Sequence, residues 1–312
     1  MGTPEFAVAS LEAIYLSKHE VVGVVTAPDK PAGRGQQLQM SEVKKFALEH
    51  QLPVLQPVNL KSPEFIEELR QLNADLFVVV AFRMLPEAVF GMPPKGTFNV
   101  HASLLPEYRG AAPIHWAVMN GEKTTGVTTF FLNREIDKGD IIACKEVEIG
   151  NNDTTGELHD RLKMLGAELA VETINMIEQG NITPVSQQNT NQEFLKPAPK
   201  IFKKDTFINW ADSAAEIFNK IRGLSPYPGA CTRITTIQGE TVILKCFSAT
   251  LTDRMSNEIA GTWTSDGKTY FAINTKDFQI LLQNIQIQGR NRMDIGQFLQ
   301  GFKTDNYTNT LK

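Results

Sequence analysis

The sequence predicts an α/β protein, with a doubly wound, mostly parallel sheet over residues 1–180 and a small β-barrel domain over residues 205–312. Three observations predict it. Short β-branched runs, EVVGVVT at 20–26 and DLFVVVA at 75–81, have the composition of strands buried on both faces. Amphipathic segments of helical period lie between such runs. Beyond Gly229, short apolar stretches are separated by Gly and Asp turns, the pattern of a small barrel.

Taken in order, residues 6–17 place Ala, Val, Leu and Ile on a recurring face and form the first helix, followed by the strand 20–26. Ser41 caps a helix through residue 50, and Glu42 in its first turn complements the dipole. Residues 62–72 form a second amphipathic helix, 75–81 a second buried strand and 96–101 a third. Pro113 stands where a first helical turn accepts proline, so 114–119 is a short helix. Strands at 125–132 and 141–149 and a long helix at 154–179 complete this half. Residues 181–204 are polar and without period, and serve as the linker. A helix at 213–222 then precedes strands at 241–247, 259–264, 270–274 and 279–287.

One element is short. A doubly wound sheet sets its first strand near the centre, just before the first helix. Only Met1 and Gly2 stand at the end of that strand. The chain is therefore expected to be an N-terminally shortened form, with a truncated first strand. Losing a strand of about 5–6 residues would leave unpaired backbone on both neighbours and a gap in the core.

Composition excludes several classes. The apolar, charged and aromatic fractions of these 312 residues are ordinary for a globular protein. No apolar run approaches the roughly 20 residues of a membrane span, and no basic region followed by an apolar segment marks a signal peptide. Cys144, Cys231 and Cys246 are scattered, without C-x-x-C spacing, which argues against a disulfide framework or a zinc site and fits a reducing cytoplasm. Charge divides along the chain: residues 1–199 carry 17 Lys and Arg against 25 Asp and Glu, whereas residues 200–312 carry 14 against 10. A mildly basic module follows an acidic one.

The most informative stretch is 98–142, FNVHASLLPEYRGAAPIHWAVMNGEKTTGVTTFFLNREIDKGDII. Asn99 and His101 lie two apart at the end of a short strand, hence on one face. Asp137 returns 36 residues after the imidazole, beside Gly139. An amide donor, a titratable ring and an acid in one pocket suit attack on a carbonyl, by stabilising an oxyanion and moving a proton. Open sheets bind ligands at the carboxyl ends of their strands, where His101 and Phe82 both fall. No G-x-G-x-x-G precedes the segment 28–35, so a dinucleotide site is not indicated. His19, His50, His115 and His159 lack such a context and are taken as structural or surface residues.

These residues carry a resemblance. The pattern N-x-H-x-S-L-L-P, then R-G-A-A-P-I, then I-D-x-G-D-I resembles the active-site signature of the folate-dependent formyltransferases. GTPEFAV (2–8), PDKPAGRG (28–35), APKI (198–201), INW (208–210), LSPYPGA (224–230) and GRNRM with FLQG (289–301) are similar too. The resemblance implies an OB-like barrel for residues 205–312. It also implies formyl transfer from 10-formyltetrahydrofolate to the α-amino group of methionine on initiator tRNA, without a metal or a membrane, by an expected monomer. Asn99, His101 and Asp137 would be catalytic. Phe82, Arg83, Met84 and Leu85 would form one wall of the folate pocket, and Ser103, Leu104, Leu105 and Pro106 another. The family's usual A-Y-G-x-I-L-P is here Ala81-Phe82-Arg83-Met84-Leu85-Pro86, one residue shorter, so this loop takes another path. The segment 29–39, DKPAGRGQQLQ, is basic, Gly-rich and structureless by pattern, and would set Lys30 and Arg34 on tRNA. Two other functions share parts of this pattern. One is formylation of a small amine, either glycinamide ribonucleotide or an amino sugar. The other is a catalytically idle RNA-binding protein built on the β module.

Overall fold

The computed structural model describes residues 1–32, 37–187 and 195–312. Its contacts divide the chain into two compact units. Residues 1–113, 124–148 and 159–197 form the first, and 114–123, 149–158 and 198–312 the second.

In chain order the first half contains α1 (Glu5–Tyr15), β1 (Val24–Val25), β2 (Lys30–Ala32), β3 (Gln37–Gln39), α2 (Glu42–Glu49), β4 (Val54–Leu55), α3 (Pro63–Gln71) and β5 (Phe77–Val80). Then come α4 (Glu87–Phe90), β6 (Thr97–His101), α5 (Pro113–Met119), β7 (Thr124–Phe131), β8 (Ile141–Glu148) and α6 (Thr155–Glu178). The helix starts follow local chemistry. Ser41 Oγ accepts the Lys44 N–H at 3.1 Å, and Ser62 Oγ accepts that of Phe65, with Pro63 opening the helix.

The sheet of the first unit is parallel as far as β6 and antiparallel beyond it. β1 pairs with β4 and β5 with β6 in parallel, whereas β6–β7 and β7–β8 are antiparallel. Met1 and Gly2 join the two parts. The Gly2 N–H donates to Val25 O at 3.0 Å, the Val80 N–H donates to Met1 O at 2.9 Å, and Gly2 bridges Val80 in parallel. The first strand is thus two residues long, between β1 and β5. Within residues 20–26 only Val24 and Val25 hold strand geometry, paired with Val54 and Leu55 of β4. A cavity of about 300 Å³ is lined by Gly2, Ser10, Val22, Leu72, Leu76 and Ile177 among others. Ser10 Oγ is buried there with no partner among the described residues.

Two stretches differ from the sequence reading. Residues 29–39 were expected to lack structure, yet β2 and β3 pair antiparallel, Lys30 opposite Gln39 and Ala32 opposite Gln37. Asp29 anchors the base of this hairpin, bonded by Lys44 Nζ and by Gln56 Nε2, and these bonds hold its carboxyl below the usual range. Arg34 lies outside the described residues. Within the expected linker 181–204, Val185 exchanges backbone bonds with Ile141 at 2.9 and 2.8 Å, and Gln187 and Ala198 are buried. Val185 is held there by main-chain bonds, which leave no side-chain period to read; residues 188–194 of the expected linker lie outside the described residues.

The second unit is a nearly closed antiparallel barrel. It contains α7 (Ala214–Gly223), β9 (Ala230–Thr236), β10 (Thr241–Met255), β11 (Trp263–Ser265), β12 (Phe271–Asn274), β13 (Phe278–Ile287), β14 (Met293–Asp294), α8 (Ile295–Gly301) and β15 (Tyr307–Leu311). Ser213 and Glu216 form a reciprocal capping box on α7. Strand order is β11-β12-β13-β10-β9-β15, and a bridge between Thr262 and Thr310 brings the ends together. Ile234, Leu244, Phe271, Ile273, Ile280 and Ile285 are fully buried inside it. The sequence reading missed β9 and β15. ACTRITT and YTNTL alternate Thr with few large apolar residues, so their period-2 signal is faint.

No described helix is long and apolar enough to cross a membrane. Cys144 is exposed on β8, whereas Cys231 and Cys246 are buried on β9 and β10, and burial pushes the Cys246 thiol far up. A maleimide should therefore add once to the native protein, at Cys144, and three times after denaturation. Intact mass checks this. Three adducts at native rates would mean that the barrel opens freely.

Candidate active site

β6 is held on both sides, Asn99 opposite Val79 of β5 and Phe130 of β7, and His101 opposite Thr128. Phe98 and Val100 bury one face in the core. Asn99 and His101 share the other, as the alternation requires. Val25, Phe77, Val79 and Leu85 form a neighbouring core cluster that fixes the β5 end.

His101 is 7% exposed, and its Nε2 lies 3.0 Å from Tyr108 O. A carbonyl only accepts, so Nε2 carries a proton and Nδ1 is the nitrogen left to exchange one. Nδ1 faces Asp137 Oδ2 at 4.0 Å, an ion-pair separation longer than a direct hydrogen bond. The same Oδ2 accepts the Gly110 N–H at 2.9 Å. Asp137 stands at φ +54°, Tyr108 at +59° and Gly110 at +123°. Two non-glycine residues in the left-handed region within one cluster are a cost that surrounding contacts must offset. Phe130, fully buried, meets the imidazole edge-on with centroids 6.4 Å apart. Asn99 Oδ1 is buried and has no partner among the described residues.

The turn after His101 is built from within. Thr128 Oγ1 donates to Ser103 O at 2.7 Å and accepts the Leu105 N–H at 3.1 Å. Ser103 is fully buried, and its hydroxyl donates to Glu107 O at 2.7 Å. Leu105 is buried, whereas Leu104 and Pro106 are half-buried. Thr128 was not singled out in the sequence, because a threonine in a strand is an ordinary β-former. Gln187 and Arg109 were also missed as site residues. Gln187 sits in an unpatterned polar run, and Arg109 counted only as part of R-G-A-A-P-I. Burial lowers the proton affinity of the Arg109 guanidinium, against the opposing charges of Asp137 and Glu135.

Arg83, Met84 and Leu85 lie together on a cleft of about 490 Å³, shared with Leu60, Phe90 and Arg134 among others. Arg83 donates to Val58 O at 2.9 Å and also to Pro57 O, and it lies over the Phe82 ring. It thereby ties its loop to the segment at 57–58. Arg134 pairs with Glu87 through two bonds of 2.9 Å and holds its carboxyl below the usual range. Ser103, Leu104, Leu105 and Pro106 are not among the residues lining this cleft. Lys30 is exposed on β2. Among the described residues no group of three or more His, Cys, Asp or Glu side chains could hold a metal ion.

Comparison with known proteins shows the family. Residues 1–174 match the family described as Formyl transferase, and residues 200–303 match Formyl transferase, C-terminal domain. A protein of Azobacteroides pseudotrichonymphae genomovar. CFP2 named methionyl-tRNA formyltransferase is 51% identical over 305 residues, covering 96% of this chain and 94% of its own. One of the same name from Bacteroides fragilis is 46% identical over 303 residues, covering 97% and 94%. Among solved structures, WlaRD, a sugar 3N-formyl transferase determined with dTDP and 5-N-formyl-THF, superposes with a TM-score of 0.63 at 21% identity, covering 93% of this chain and 97% of its own. An N-formyltransferase from Helicobacter canadensis has the same TM-score at 23% identity, covering 90% and 97%. At such identity the structures speak for the fold alone. The two matched regions and the near full-length relatives show that the chain belongs to the formyl transferase family.

Proposed function

We propose that the chain transfers the formyl group of 10-formyltetrahydrofolate to the α-amino group of methionine on initiator tRNA. The observation that carries this reading is the strand-end constellation of Asn99, with its unpartnered Oδ1, and His101 facing Asp137. The names of relatives that match along 94% of their length supply the acceptor.

The amine attacks the formyl carbon, a tetrahedral oxyanion forms, and the bond to the folate nitrogen breaks. The amine must lose one proton and the folate nitrogen must gain one. The Asn99 amide N–H groups donate to the oxyanion, and Oδ1 receives an N–H of the incoming amine. His101 acts through Nδ1, since Nε2 is engaged by Tyr108 O. Asp137 orients that nitrogen and relays the amine's proton through water. Arg83, Met84 and Leu85, on the 490 Å³ cleft, form the folate wall together with Phe82, whose ring lies under Arg83. Leu104, Leu105 and Pro106 form the second wall, with Ser103 shaping it from behind. Residues 1–180 supply this catalytic part and residues 205–312 the tRNA-binding part, joined by 181–204. Lys30 and Arg34 reach the acceptor end of the tRNA, and the Lys and Arg surplus of residues 200–312 meets phosphates. The enzyme works as a cytoplasmic monomer without a metal.

A single-turnover assay tests the acceptor. Methionyl-initiator-tRNA should be formylated at least about 10³-fold faster than glycinamide ribonucleotide or a nucleotide-linked amino sugar, because a site built to pair with polar groups of one acceptor rejects analogues lacking them by large factors. Binding of the tRNA should weaken steadily as salt rises, as released counterions require. Faster transfer to either small amine would overturn the reading. So would tRNA binding without formylation.

A further inference from the structure

We propose that Gln187 is a positioning residue for formyl transfer, one side chain that sets the placement of Asp137 against His101. The inference rests on the site reading above and deepens it. Gln187 is 3% exposed, and its carboxamide is engaged at both ends. Oε1 accepts from Arg109 Nε at 3.2 Å and from Nη2 at 2.7 Å. Nε2 donates to Gly139 O at 2.6 Å and to Asp137 O at 3.2 Å.

These bonds close a ring. Arg109 is followed by Gly110, whose N–H holds Asp137 Oδ2 at 2.9 Å. The carboxylate of Asp137 is thus fixed by one loop and its carbonyl by Gln187, and Gln187 also grips that same loop through Arg109. Asp137 needs such restraint. At φ +54° a non-glycine residue relaxes toward the ordinary region unless its neighbours hold it. Gln187 itself is delivered by the backbone pair between Val185 and Ile141, at the start of β8 just beyond the Asp137 turn. A carboxamide suits this place because it accepts from a guanidinium and donates to carbonyls at once, which no carboxylate or ammonium can do.

The test uses the full chain in single and double variants. Gln187→Leu should lower kcat by about 10–100-fold, the scale of loss from a displaced catalytic group. KM for the folate donor should stay within about threefold. In an Asp137→Asn background, Gln187→Leu should cost less than about threefold further, because the group it places no longer acts. Gln187→Glu keeps the shape and the Arg109 contact but turns an oxygen on the two carbonyls, so it should lose as much as leucine. It also carries the test if the leucine variant fails to fold. Full turnover of a folded Gln187→Leu or Gln187→Glu protein overturns the proposal, as does an undiminished further loss in the Asp137→Asn background. Full turnover of Asp137→Asn alone overturns the site reading beneath it.

Discussion

His101→Ala lowers turnover by about 10²–10⁴-fold, and Asn99→Ala and Asp137→Ala do the same, on the scale of lost acid–base or oxyanion help. The expectation rests on how little freedom the site leaves. Tyr108 O holds one imidazole nitrogen at 3.0 Å, and Asp137 faces the other at 4.0 Å. Among the described residues, Asp137 is the titratable side chain that pairs with His101 Nδ1. Asn99 Oδ1 has no internal bond to lose among the described residues. Asn99→Ala should therefore cost activity with little loss of folding stability, unlike a substitution that breaks a buried pair. Because the three groups act as a unit, double variants should lose far less than the product of the singles. Single-turnover rates with saturating donor, together with thermal melts, check both parts. Wild-type turnover in a folded His101→Ala protein would remove the mechanism.

Legibility in the sequence followed the physics of each element. Helices with a capping serine and a clear apolar face, such as α2 and α3, could be placed to within a residue or two. Buried strands such as Phe77–Val80 were visible from their β-branched runs. His101 and Asp137 stood out because strand alternation and a Gly-flanked acid follow from spacing alone. The pairing of β2 with β3 did not, since it is main-chain and Lys30, Pro31, Leu38 and Gln39 are exposed. Gln187 and Thr128 were hidden for a related reason. Each acts through hydrogen bonds to residues distant in sequence, Thr128 to the turn at 103–105 and Gln187 to residues 109, 137 and 139. No local pattern encodes such a partner. The left-handed backbone of Asp137 was likewise unreadable, because aspartate takes that conformation only where the surroundings impose it.

Gly139→Ala should disable the enzyme nearly as fully as loss of Asp137, although alanine is the smallest change available. A Cβ built at Gly139 would lie 1.6 Å from Phe131 O and 3.3 Å from Phe130 Cδ2. The obstacle is a strand backbone, and Phe131 cannot yield, because its own N–H is bonded to Asp140 O at 3.0 Å. The loop must therefore lift away from β7. Lifting it breaks the 2.6 Å bond from Gln187 to Gly139 O and carries Asp137, two residues earlier, off His101. A displacement of about 1 Å in a catalytic group costs on the order of 10²-fold in rate, and forcing a methyl into a packed site costs about 1–3 kcal/mol of stability. The penalty is steric, since Gly139 is not among the glycines of positive φ. Gly301→Ala serves as the control, because its added Cβ meets nothing within 4 Å. It should leave rate and melting temperature within experimental scatter. A folded Gly139→Ala enzyme with wild-type kcat would show that the Asp137 turn tolerates displacement, and with it that the gap between Asp137 and His101 does not limit the reaction.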